Sequence, residues 1–159
     1  MQYRKLLDDD LHALDAFLAA HADTSMSLRS NLQKIGMGRR HHPLSGCYFG
    51  AVSDDGAIHG VLAIFGNGNV FVQTGGAPVP RGLIDVFCLE NTQPLAGFFG
   101  PADQAQNVID MLGMGDAVFT INACDAFYRL DLANLIVPQN ARSDSFQMVD
   151  SERTDRNAM

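Results

Sequence analysis

Apolar runs separated by short clusters of glycine, asparagine and aspartate mark the middle of the chain, most densely between residues 46 and 89. Residues 47–52 (CYFGAV) are apolar and β-prone, and Asp54-Asp55-Gly56 follows them. Asp-Gly accepts the positive φ that a tight hairpin turn requires. Residues 58–65 (IHGVLAIF) form a second apolar run, and Gly66-Asn67-Gly68-Asn69 repeats the turn chemistry. Residues 70–73 (VFVQ) read as a third strand. A glycine- and proline-rich loop, residues 74–82, leads into an apolar helix over residues 83–89. The pattern therefore predicts strand, turn, strand, turn, strand, loop and helix. A one-residue slip inverts every side chain of a strand, so the register places Ile58 and His59 on opposite faces.

The flanks carry the helical period. Residues 3–7 are short and extended, and Asp8-Asp9-Asp10 then supplies helix-cap candidates and negative charge for a helix N-terminus. Leu11, Leu14, Phe17 and Leu18 recur at helical spacing to about Ala22. Asp23-Thr24-Ser25 is expected to break that helix and cap a second one. The second helix has Leu28, Leu32 and Ile35 on one face, and Gly36 and Gly38 stop it. Beyond Glu90, residues 95–99 (LAGFF) read as a fully apolar strand covered on both faces. Gly100-Pro101 starts a further helix, with Val108, Ile109, Met111 and Leu112 on its buried side, and Gly113 ends it. Strands are expected at residues 118–121 and 125–132. Residues 139–144 are polar, like a linker. Residues 146–149 (FQMV) before Asp150-Ser151-Glu152 repeat the style of the chain's opening, which suggests the start of a second, truncated domain. This divides the chain into a domain over residues 1–138 and a linker with a new beginning over residues 139–159. A mixed, mostly antiparallel sheet with helices on both faces follows, an α/β (α+β) fold. Its buried set is expected to be Leu14, Phe17, Leu32, Val61, Leu62, Ile64, Phe71, Ile84, Phe87, Phe98, Ile109 and Leu112.

The 159 residues are 47% hydrophobic, enough for one ordinary core. No apolar run approaches the roughly 18 residues of a membrane span. The opening Met1-Gln2-Tyr3-Arg4-Lys5 leads into acidic residues and carries no secretion signal. A net charge of -7 disfavours nucleic acid and anionic membrane surfaces as partners. Cys47, Cys88 and Cys124 are odd in number and widely spaced, each in an apolar run. They read as buried free thiols in a reducing cytoplasm. No Cys/His spacing resembles a zinc site, so no metal is expected. Arg39-Arg40-His41-His42-Pro43, with Arg29 and Lys34, is a local basic region. It is either a phosphate contact or a solvated loop.

The loop at residues 74–82 brings backbone N–H groups and a helix N-terminus together, which suits an anion. Gly75-Gly76 is equally readable as a plain turn.

The element order resembles that of the GNAT N-acetyltransferase superfamily, in which a splayed strand and the loop and helix after it hold acetyl-CoA. Three runs sharpen the resemblance toward the N-terminal half of bacterial tandem GNAT proteins. They are residues 24–32 (TSMSLRSNL), Gly100-Pro101-Ala102-Asp103-Gln104 with Leu112-Gly113, and Tyr128-Arg129-Leu130-Asp131-Leu132 through Pro138. The resemblance spans residues 3–138. It implies an acetyl-CoA site made of Val72, Gln73, Gly75, Gly76, Arg81 and Gly82. The superfamily loop reads Arg or Gln, two residues, Gly, one residue, then Gly or Ala. Gln73 and Gly76 fill the first two places, but Pro78 stands where the small residue belongs and Pro80 follows closely. Proline carries no N–H, so both remove donors for a pyrophosphate, and the chain alone is expected to bind acetyl-CoA weakly or not at all.

Acetyl transfer to an amine needs a base, an oxyanion donor and an acid for the leaving thiolate. Residues 70–73 contain no Asp or Glu. Tyr128 is the tyrosine candidate for the acid, although its strand also suits a packed or surface tyrosine. His59, Glu90 and Cys124 have no partner visible in sequence. Three readings compete. The chain is an acetyltransferase acting on a small-molecule or protein amine. Or it is a non-catalytic GNAT-like module that shapes the acceptor side of a catalytic partner, such as a second GNAT domain, or acts as an interaction module. Or it is an unrelated PAS- or profilin-like sensor. A parallel pair formed by residues 70–73 and 95–99 would exclude PAS. The strand at residues 146–149 is expected to be poorly ordered or to borrow an edge, here or from a second molecule, and a borrowed edge would promote a homodimer.

Overall fold

A computed structural model describes residues 1–38 and 42–136. The chain divides into two units, Met1–Asp125 and Ala126–Met159. In the first, β1 (Gln2–Lys5) leads through a 3-10 turn (Asp8–Asp10) into α1 (Leu11–Ala20) and α2 (Ala22–Ile35). Then follow β2 (Gly46–Val52), β3 (Ile58–Phe65), β4 (Asn69–Gln73), α3 (Arg81–Glu90), β5 (Gly97–Phe99) and α4 (Ala102–Met111). Within the described part of the second unit, a 3-10 turn (Leu132–Asn134) interrupts irregular backbone. The class is α+β, with one five-stranded, mostly antiparallel sheet in the order β1-β2-β3-β4-β5. Among the described strands the β4–β5 pair is the parallel one, with Asn69, Val70 and Phe71 opposite Gly97, Phe98 and Phe99.

The central meander follows from local chemistry. Gly56 and Gly68 sit at φ +83° and +82° in the two hairpin turns, where only glycine is unstrained. β2 and β3 are apolar almost throughout because helices cover both sheet faces. Tyr48, Val61, Ala63 and Phe65 pack with Leu14, Leu18, Leu28 and Leu32 of α1 and α2. Phe49, Leu62, Ile64, Val70 and Val72 pack with Leu83, Ile84 and Phe87 of α3 and Val108 of α4. Ile58 is buried and His59 exposed, the expected register.

Several expectations need correction. The α1–α2 break falls at His21, and Thr24 and Ser25 lie inside α2, where Ser25 is buried instead of capping. Phe17, Phe71, Phe98, Ile109 and Leu112 are only partly buried. β5 is not covered on both faces: it is an edge strand of three residues, and Phe99 is 46% exposed. Residues 118–121 and 125–132 are not strands; they run as irregular, exposed backbone, with Val118, Ile121, Tyr128 and Leu130 turned to solvent. Apolar alternation marks a strand only when a neighbour supplies the ladder, and among the described residues the sheet takes in neither run. Of the cysteines, Cys47 is buried, but Cys88 and Cys124 are exposed free thiols. Cys88 is exposed although it lies one turn beyond the buried Ile84 of α3. Residues 39–41 of the basic stretch, and those assigned to the linker and repeated strand, lie outside the described residues.

Candidate functional site

The parallel pairing of β4 with β5 stops at Phe71 and Phe99, while β4 continues through Val72 to Gln73. Gly100 turns the chain away. It sits at φ +151°, and a Cβ there would lie 2.5 Å from the Val72 carbonyl oxygen, so only glycine fits. α4 then folds back over the end of β4. Its Gln104 side chain is buried there, and Oε1 accepts the Thr74 N–H at 2.8 Å. The expected cofactor loop thus begins beside a glutamine that already occupies its first donor.

Three further loop donors are taken up in the same way. The Gly75 N–H donates to Gln73 Oε1 at 2.8 Å, and the Ala77 N–H to the Thr74 carbonyl at 3.1 Å. The Val79 N–H donates to Asn107 Oδ1 of α4 at 3.3 Å. Pro78 and Pro80 have no N–H to offer. The Thr74 hydroxyl donates to the Ala77 carbonyl and tightens the turn. Gln73 itself is buried. Its Nε2 donates to Thr24 Oγ1 at 2.6 Å and Ser25 Oγ at 3.2 Å, so the side chain ties β4 to the start of α2. At the N-terminus of α3 the Tyr3 ring lies over Gly82: a Cβ there would stand 2.2 Å from Tyr3 Cδ2. Arg81 pairs along the helix with Asp85 at 2.9 Å. Gly76 is the loop residue with open space around it, at φ +88°.

Sequence reasoning missed His21. Its ring stands over Gly75, where a Cβ would lie 2.8 Å from both Cε1 and Nε2. The ring also packs edge-on to Phe17, with centroids 4.8 Å apart. A titratable imidazole is thereby set against the glycine loop. Nothing in the local run Ala20-His21-Ala22 announces it, because the contact joins segments distant in sequence. Gln104 and Asn107 were missed for the same reason.

Of the catalytic candidates, His59, Glu90 and Cys124 belong to the first unit and Tyr128 to the second. Tyr128 is 94% exposed on irregular backbone in the second unit. Glu90 and Cys124 are exposed. His59 Nε2 lies 3.1 Å from Ser53 Oγ at the β2–β3 hairpin. The Asp55 carboxylate beside it accepts from the Ser53 hydroxyl and from the Ala57 N–H at 3.2 Å. In a Ser-His-Asp relay the acid orients the imidazole; here it holds the serine, and the group serves as a turn. Those bonds, the serine's first, keep the Asp55 carboxyl below the usual aspartate range.

A groove of about 740 Å³ lies between the start of α1 and the end of α2, lined among others by Asp8, Asp9, Leu11, His12, Leu32 and Ile35. None of residues 72–82 lines it. Among the described residues no cluster of three or more His, Cys, Asp or Glu side chains could hold a metal, and no helix is long and apolar enough to cross a membrane. No family model, curated protein or solved structure matches this chain.

Proposed function

We propose that this chain is a GNAT-like domain of an acetyl-CoA-dependent N-acetyltransferase and serves as its N-terminal, non-catalytic half. In this reading it shapes the amine side, for a small-molecule or protein acceptor, while a second GNAT-like domain holds the cofactor. One observation carries the assignment of roles. The N–H groups of Thr74, Gly75, Ala77 and Val79 are all bonded within the domain, and Pro78 and Pro80 add none. A pyrophosphate is held by unpaired donors pointing at it, and this loop has spent most of its own. The parallel β4–β5 pair supports a GNAT-like topology over a PAS-like sensor.

Calorimetry of the chain with acetyl-CoA tests the reading. The expected outcome is no measurable binding in the micromolar range. A micromolar dissociation constant, about -8 kcal/mol, overturns it and makes this domain a cofactor-binding one.

A further inference from the structure

We propose that the groove between the start of α1 and the end of α2 binds a small organic cation, a protonated primary amine carried on an apolar chain or ring. The groove takes in none of residues 72–82, so its ligand is independent of the acetyltransferase reading.

The helix hairpin makes the cavity. α1 and α2 run antiparallel on either side of His21, and Asp15 of α1 accepts from Arg29 and Gln33 of α2. The first turn of α1 therefore stands beside the last turn of α2, and Asp8 and Asp9 of the 3-10 turn join the lining. Leu32, only 2% exposed, is the apolar floor, with Leu11 and Ile35 beside it. The volume of about 740 Å³ falls within the range of about 300–1,000 Å³ usual for small-molecule sites, where an apolar lining carries a few polar groups. The groove lies between helices and offers no strand edge to a peptide backbone.

Charge selects the occupant. The titratable side chains in the lining are Asp8, Asp9, His12, Asp15 and Lys34. Asp15 is already matched, with Arg29 Nε at 2.9 Å and Gln33 Nε2 at 3.1 Å. Asp8 and Asp9 make no side-chain hydrogen bond or ion pair among the described residues. The backbone adds to the same sign, because α2 ends here. The Gly36 N–H donates to the Leu32 carbonyl at 2.9 Å, and the Gly38 N–H goes to the Gly46 carbonyl at 2.9 Å instead of returning to the helix. The last carbonyls of a helix carry its partial negative charge. Lys34 is the opposing charge, on a long exposed stem that can carry its ammonium away from the mouth. An anion would meet Asp8, Asp9 and the helix end with like charge. A neutral apolar molecule would leave the two carboxylates unmatched. A protonated amine on an apolar body answers both parts of the surface.

The test follows the backbone amides of the full chain by NMR during titration with hexylamine, and with hexanol and hexanoate as matched probes. Hexylamine should give saturable shifts at residues 8–15 and 32–36. Hexanol, which lacks the charge, should bind about tenfold more weakly, and hexanoate more weakly still. Asp8→Asn with Asp9→Asn changes two exposed side chains, so the circular dichroism should stay that of wild type. This variant should bind hexylamine about tenfold more weakly and hexanol as before. Lys34→Met removes the competing ammonium and should tighten hexylamine, a gain that no loss of folding produces. Three outcomes overturn the proposal. They are hexylamine shifts that fail to saturate or fall outside the groove, hexanoate that binds as tightly as hexylamine, and an Asp8→Asn, Asp9→Asn variant that binds hexylamine like wild type.

Discussion

At the scale of single residues, the loop is governed by what a Cβ would meet. Gly75 and Gly76 both have positive φ, +64° and +88°, but only Gly75 lies under the His21 ring. An alanine at either position carries a left-handed backbone cost of about 1–2 kcal/mol. Gly75→Ala should cost more than Gly76→Ala, because the ring must also move. Urea unfolding of both variants measures the difference. His21→Ala in the Gly75→Ala background should bring the loss back toward the Gly76→Ala value, and a cycle with no coupling would remove the contact from the account. Asp10 makes a second residue-scale case. It accepts from both Arg4 guanidinium nitrogens at 2.7 and 2.6 Å and from the Leu7 N–H at 2.8 Å. The Arg4 bonds foremost hold its carboxyl below the usual aspartate range. A carboxyl with a lowered folded-state pKa contributes stability above its unfolded-state pKa, and loses it as pH falls through the folded value. Asp10→Ala should therefore destabilise by about 1 kcal/mol at neutral pH, little more than a half-exposed ion pair and one backbone bond supply. The difference from wild type should vanish in acid denaturation curves below the folded pKa.

At the scale of elements, α4 is the part that closes the loop. Gln104 is buried, and its oxygen is the partner of a buried backbone N–H. Gln104→Ala leaves that N–H without an acceptor and should cost about 1–3 kcal/mol. Gln106, one step further along α4, donates to Asp110 at the surface. Gln106→Ala should stay within about 0.5 kcal/mol. Thermal or urea unfolding distinguishes the two; equal losses would mean that Gln104 acts through the helix and not through the loop. α2 is held differently. Leu32 is buried in the core beneath β3, and Leu32→Ala should cost about 2–5 kcal/mol as a cavity opens.

At the scale of the whole molecule, the proposed division of roles between this domain and a second one is open to test. A Cβ at Gly76 would meet nothing within 4 Å, so the fold should survive Gly76→Asp at the cost of a strained φ. On the proposed reading, acetyl transfer by a protein holding both domains should persist in this variant and be lost when the cofactor loop of the second GNAT-like domain is altered. Loss of turnover in a folded Gly76→Asp protein would reverse the assignment. Gln73 gives a less clean test, because its side chain bridges β4 to Thr24 and Ser25 and so also carries stability.

The hairpins were legible in the sequence because a turn is a local event. Asp54-Asp55-Gly56 and Gly66-Asn67-Gly68-Asn69 specify their backbone within four residues, and β3 spans residues 58–65 as read. Helical period located α1, α2, α3 and α4 for a similar reason: each must turn one face to the sheet. Caps and ends were less legible. Ser25 resembles a capping residue but is buried against Gln73, a contact made only once β4 lies beside α2. The loop's content of glycine and proline stated which donors were missing. That the Thr74 and Val79 N–H groups were already bonded depended on Gln104 and Asn107, which arrive on a helix formed later in the chain. His21 over Gly75 is likewise a product of packing. The apolar alternation of residues 126–132 expresses a capacity to pair, which a strand realises only when an edge is within reach. Local backbone preference and periodicity are properties of the sequence itself. Which donors remain open and which imidazole faces the loop were decided by the tertiary structure, because each is a contact between segments far apart in the chain.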